Sequence, residues 1–171
     1  MPIAILPLGP CVIDWKEASV VFTKTFGGVF FRYEELLAPI KEDQQGETDV
    51  DDVSAGVVNP TLEAPFTNED LANLAICFGN ATTDSNLEVA NPVGEAVVAR
   101  AEQVIVKPII NGIISTTESE WLYIYKAFPR VTLEYTYDNA GQRVTTVIFK
   151  GYPTEISGVV GALWRIGSPK S

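Results

Sequence analysis

Two apolar, strand-like stretches, FGGVFFRYEELLAPI and VSAGVVNPTLEAPF, flank the acidic run KEDQQGETDVDD at positions 41–52, and their length limits the folds open to the chain. Gly28 to Ile40 is thirteen residues. As an unbroken strand it would reach roughly 40 Å, against a usual strand of about five or six residues. A hairpin of that size overhangs any single core that 171 residues can build. Its free edges need partner strands, because unpaired backbone N–H and C=O groups invite pairing with another chain. Pro39 near the tip and Gly56 on the return strand are positions for a bend or a bulge.

The acidic run also dominates the charge. The chain carries 22 acidic and 12 basic residues, a formal net charge of −10. Without Glu42, Asp43, Glu47, Asp49, Asp51 and Asp52 the balance is 16 against 12, or −4. A surface this negative does not grip nucleic acid through its phosphates, which takes clustered Lys and Arg. It does suit a surface past which DNA moves without sticking.

The rest of the pattern is mostly β. RVTLEYTY alternates Val131, Leu133, Tyr135 and Tyr137 with polar residues; DNAG supplies a turn and QRVTTVIFK runs back, a hairpin. EWLYIYKAF, ALWRIG and EAVVARAEQVIV read as further strands, the last stopped by Pro108. Asn80 to Pro92 and NGIISTTES read as loops from their Asn, Thr, Ser and Gly content. One helix is expected over about 68–78: Thr67 is placed as N-cap, Glu69 and Asp70 favour the positive end of the dipole, and Gly79 closes it. Within it Leu71, Leu74, Ala75 and Phe78 recur at helical spacing, with Cys77 on the buried side.

Several chemistries find little support. The chain has no histidine, no G-x-S-x-G and no P-loop, and GVVGA reads as a glycine-containing strand or turn. Glu34 and Glu35 point to opposite faces of a strand and cannot share a proton. Cys11 and Cys77 have no metal-type spacing. DVDD places carboxylates close together but does not match the calcium-loop order of acids and glycine. No cofactor is expected. No run approaches the roughly 20 apolar residues of a membrane span, and MPIAILPLGPCVIDW has no basic residue before its apolar run, so neither signal peptide nor anchor is expected. The acidic run read by itself is a solvated loop. Trp15, Trp121 and Trp164 with six tyrosines leave a carbohydrate-binding β-sandwich open as an alternative.

The order of these pieces carries a resemblance. TKTFGGVFFRYE, then GETDVDDV, then LEAPFTNEDLANLA, followed by YKAFP, VIFKGYPTE and the closing ALWRIG, resembles the major tail tube protein of tailed bacteriophages, related to the inner-tube proteins of contractile injection systems. The similarity runs from about Thr23 to Gly167, with WKEASVVF departing from the family's pattern. It implies one tail-tube domain over 1–171: a β-sandwich or barrel with one flanking helix and a long protruding hairpin over about 28–66. It further implies sixfold rings that stack into a hollow tube, with hairpins of adjacent subunits joining around an acidic channel. Glu42, Asp43, Glu47, Asp49, Asp51 and Asp52 become lumen or ring-contact acids, with Glu34 and Glu35 as weaker lumen candidates. The implied partners are other copies of the chain, a tape-measure protein and other tail proteins, with genomic DNA in transit. The implied place is the virion tail, after assembly in the host cytoplasm. A tail terminator or a distal tail or baseplate ring protein of the same fold is the neighbouring alternative.

Overall fold

The computed structural model describes residues 9–15, 20–23, 25, 27–41, 49–67, 71–78, 81–84, 86–89, 94, 96–134 and 144–168. In chain order the elements are β1 (Cys11–Trp15), β2 (Val20–Phe22), β3 (Phe30–Lys41), β4 (Asp49–Thr67), α1 (Leu71–Cys77), β5 (Ala81–Asp84) and β6 (Asn86–Val89). Then follow β7 (Glu102–Ile110), β8 (Ile113–Ile114), β9 (Leu122–Glu134), β10 (Val144–Gly151), β11 (Thr154–Ile156), β12 (Val159–Ala162) and β13 (Trp164–Ile166). The architecture is mainly β. One antiparallel sheet runs β2-β1-β7-β9-β10-β4-β3, with β13 on β9 and β8 on β7; β5–β6 and β11–β12 form separate two-stranded ladders.

Alternation sets which face of this sheet is inside. In β10, Thr145, Val147 and Phe149 are buried while Val144, Thr146, Ile148 and Lys150 are half-buried, and in β4 the buried partners are Leu62, Ala64 and Phe66. All five residues of β1 are buried, as expected of a strand covered on both faces. The sheet curls until its ends meet. Phe22 of β2 stacks on Phe66 of β4, and Thr25 bridges to Phe66 beyond the point where β3 begins. Trp15, Phe22, Phe66 and Phe149 fill the enclosed space together with Ile13, Leu62 and Ile124. Burying a side chain of this kind contributes about 1.5–3 kcal/mol.

The buried polar groups in this interior are paired. The Trp15 indole N–H donates to the Ala127 carbonyl at 3.2 Å. Asp14, on buried β1, forms an ion pair with Lys107 of β7, whose ammonium lies 4.6 Å from the centre of the Trp121 ring. Val12 faces Lys107 and Asp14 faces Ile105, so acid and base are diagonal neighbours on one face of the ladder.

Several sequence expectations are corrected. Pro108 does not stop β7, which continues to Ile110. The Pro108 carbonyl accepts from Ser115 N–H, so its nitrogen points to the same side, at Ser115 just beyond β8. The Ser115 carbonyl accepts instead from the Trp121 indole N–H at 3.0 Å, so no acceptor is stranded by the missing N–H. EWLYIYKAF and RVTLE form one strand, β9, that passes through Pro129. The Lys126 carbonyl accepts from Tyr152 on the β10 side, so alternation turns the Pro129 nitrogen to the other edge, where β7 has ended opposite Ala127. Val97–Arg100, expected as strand, is a 3-10 turn. The expected loop after the helix contains β5 and β6, and NGIISTTES contains β8 and runs into a 3-10 turn at Glu118–Glu120. Thr67 is the last residue of β4, opposite Val144, and α1 is described over Leu71–Cys77; the junction between them, and with it the capping role read for Thr67, lies outside the described residues. Leu74, Ala75 and Cys77 are buried on the inner face of α1. Glu69, Asp70 and Gly79 lie outside the described residues, as does the DNAG turn.

Candidate assembly surface

β4 belongs to the sheet only over its last third. Thr61 to Thr67 pair with β10, and Lys150 opposite Thr61 is the last contact of that ladder. From there outward β4 has β3 as its sole partner among the described strands, from Arg32 opposite Thr61 to Lys41 opposite Asp49. The result is a two-stranded ribbon leaving the body, the expected long hairpin. The ten residues from Thr61 to Asp51 span roughly 30 Å at about 3.3 Å each.

The ribbon is bent in one sense. The twelve residues of β3 run against the fifteen from Asp49 to Glu63, and three register shifts take up the difference. All three place the extra residue on β4: near Asn59, at Ala55 and at Val50. Each shift strengthens local twist and bends the longer strand. The middle one adjoins Gly56, whose φ of 133° a side chain would rarely tolerate. At the base, Gly151 of β10 lies so close to β4 that a Cβ there would sit 2.6 Å from Pro60 Cγ. The Asn59 amide donates to the Gly151 carbonyl at 2.7 Å, tying the same point.

The register assigns the sequence candidates to faces. Glu34 stands opposite Val58 and Asp51 opposite Ile40, on the face that carries Leu36, Ala38 and Val53. Glu35 stands opposite Val57 and Asp52 opposite Pro39, on the face that carries Leu37 and Ser54. All four acids are exposed. The Asp51 carboxylate accepts from the Asp52 backbone N–H at 2.8 Å. Asp49 is described by its backbone, opposite Lys41, while Glu42, Asp43 and Glu47 lie outside the described residues.

Charge patterning misses the apolar half of this surface. Leu37 is 58% exposed, Val53 50% and Leu36 46%, with Ile40, Val57 and Val58 also exposed. The signal was present as the paired apolar residues Leu36–Leu37 and Val57–Val58, which on a strand put one apolar side chain on each face. Among the described strands neither outer edge of this ribbon is paired beyond Thr61, and exposed apolar side chains on both faces with free edges are features that invite association. Among the described residues no three Asp, Glu, Cys or His side chains are grouped to hold a metal ion, and no helix is long and apolar enough to cross a membrane.

No protein-family model matches the chain, and no curated protein matches its sequence. Among solved structures it is similar to a chain of the sheath–tube complex of an extracellular contractile injection system, PVC, in the extended state. That pair has TM-score 0.46 and 8% identity over 96% of this chain and 92% of the other. It is also similar to a chain from the PVC sheath/tube terminator, with TM-score 0.47 and 9% identity over 95% and 97%. A third is a chain of the anti-feeding prophage baseplate, with TM-score 0.47 and 10% identity over 91% of each chain.

Proposed function

We propose that this chain is a structural, ring-forming subunit of a tail-type tube. Six copies close a ring through their β3–β4 ribbons, rings stack, and the acids of positions 41–52 line the channel or the contact between rings. The observation that carries this reading is the ribbon itself, roughly 30 Å of two-stranded sheet outside the core with apolar side chains on both faces and, among the described strands, no neighbour beyond its own pair. A ribbon of this kind is stabilised when neighbouring copies complete the sheet. Its carboxylates then repel a nucleic acid in transit. In this role the chain works in the virion tail beside a tape-measure protein and other tail components, and carries out no catalysis.

The test is negative-stain electron microscopy of the purified chain at high concentration, beside a variant lacking residues 41–52. Stacked rings or tubes with a central hole for the intact chain, and folded but unassembled protein for the variant, are the expected results. Single rings that never stack would move the role to a terminator or baseplate ring. Persistent monomers would overturn the reading.

A further inference from the structure

We propose that a cationic cleft beside α1 receives the acidic tip of the β3–β4 ribbon from a second copy of this chain. This rests on the ring-forming reading and names the contact by which one copy holds the next. The cleft, about 410 Å³, is walled by Phe78 and Val97 and floored by Phe128, Arg130, Lys150 and Tyr152. Arg130 stands opposite Ile148 and Lys150 opposite Phe128 on adjacent antiparallel strands, which makes the two cations diagonal neighbours on one face. The same two cross-strand rows continue through Glu63 to Phe30 and through Thr61 to Arg32. Together they hold three cations and one acid, in a chain whose acids outnumber its bases 22 to 12. No described carboxylate forms an ion pair with Arg32, Arg130 or Lys150.

Lys150 is half-buried and Arg130 stands exposed beside it, a pair of cations that suits a carboxylate. Lys150 lies over the Tyr152 ring, 5.8 Å from its centre, and Arg100 covers Phe128 at 5.5 Å while donating to the Phe78 carbonyl. The Tyr152 ring screens one side of Lys150 from water, so a charge-assisted hydrogen bond from its ammonium to an incoming carboxylate gains strength there. The chain's own tip cannot supply it. Lys150 pairs with Thr61 at the ribbon's base, and the ladder holds Asp51 ten residues further out, roughly 30 Å away. Residues 41–52 carry six acids against the single base Lys41. Asp51 and Asp52 face opposite sides of the ribbon, so the tip offers a carboxylate whichever face it lays down.

The test uses two full-length variants, a reversed cleft (Arg130→Glu with Lys150→Glu) and a reversed tip (Asp49→Lys, Asp51→Lys and Asp52→Lys, which leaves three acids against four bases over residues 41–52), with assembly followed by light scattering against protein concentration. Each alone should raise the concentration threshold at least tenfold with an unchanged far-UV circular dichroism spectrum. Mixed one to one they should assemble near the wild-type threshold, since each tip then meets a cleft of opposite sign. If the reversed cleft fails to fold, the single change Arg130→Gln, at an exposed position, should still raise the threshold and weaken its salt dependence. An unchanged threshold in the reversed cleft, or in Arg130→Gln where that variant replaces it, overturns the socket while leaving the ring reading intact, as does failure of the mixture to recover. Failure of the wild-type chain itself to assemble overturns the ring reading and the socket with it.

Discussion

Phe22 stacks on Phe66 with ring centres 4.7 Å apart and planes at 23°, joining a strand from one end of the sheet to one near the other. Both rings are fully buried. The pair closes the fold on itself, since β2 and β4 are separated by four strands in the ladder order.

Phe22→Ala or Phe66→Ala should each cost about 3–5 kcal/mol of unfolding free energy. The double variant should cost less than the sum, because the first loss already removes the contact. Urea unfolding of the three variants measures both, and strict additivity would show the rings to be energetically independent.

The Asp14–Lys107 pair predicts an asymmetry. Asp14→Ala leaves a half-buried ammonium beside Trp121 without its carboxylate and should destabilise by about 3 kcal/mol. Replacing both, Asp14→Leu with Lys107→Met, should recover most of that loss, since an apolar pair of similar volume needs no desolvation of charge. Denaturation midpoints compare the two.

Deleting Ala55 should straighten the ribbon without scrambling it. Leu36 already faces Gly56 and Leu37 already faces Ser54, so removing the extra residue preserves every cross-strand pair. Interstrand NMR contacts between Ala38 and Val53 should survive and stability should change by about 0.5 kcal/mol or less. The assembly threshold should nonetheless rise, because the curvature is lost.

Alkaline pH should weaken the fold through its buried acids. Burial pushes the Cys11 thiol from 9.0 up to about 11. Burial, and then Glu118, push the Tyr123 phenol upward as well. An unfolded chain releases these protons first, so the thiol's contribution is intact below pH 9 and is lost as pH rises toward 11. Urea midpoints from pH 8 to 11 should fall, and fall less steeply in Cys11→Ala.

The strands easiest to read in the sequence are those rich in β-branched residues. β10 alternates buried and half-buried residues along its whole length; in the letters Val144 to Phe149 shows a β-branched run that marks the strand, while Thr145 on the buried side and Val144 and Ile148 on the other hide its period. The long hairpin was legible from its length and its bulge from Gly56. What misled was proline and polarity. Pro108 and Pro129 look like stops, but the Pro129 nitrogen turns to an edge beyond the β7 ladder, and the Ser115 carbonyl facing Pro108 accepts from the Trp121 indole instead, facts that belong to neighbouring residues. Ala81–Asp84 and Asn86–Val89 are polar enough to pass for loop, and only their pairing makes them strands. Ile110-Asn111-Gly112-Ile113 carried an Asn-Gly hairpin signal that the reading of a loop overlooked; both central residues adopt positive φ. The candidate cleft left no local signal, because Arg130 and Lys150 meet only through the sheet register and Val97 joins them only through the packing of its 3-10 turn.

The missing Cβ at Gly151 acquires a mechanical meaning once the ribbon's reach is considered. The base of the hairpin is a fulcrum, fixed where Gly151 backs onto Pro60 and the Asn59 amide clasps the same carbonyl. A methyl group there would have to tilt the arm, and a tilt of about 5° over roughly 30 Å moves the tip by roughly 2–3 Å, close to the length of a hydrogen bond. Ile124 of the body, 3.0 Å from the same Cβ, would have to give by only tenths of an ångström, while the far end would be thrown out of alignment by whole ångströms.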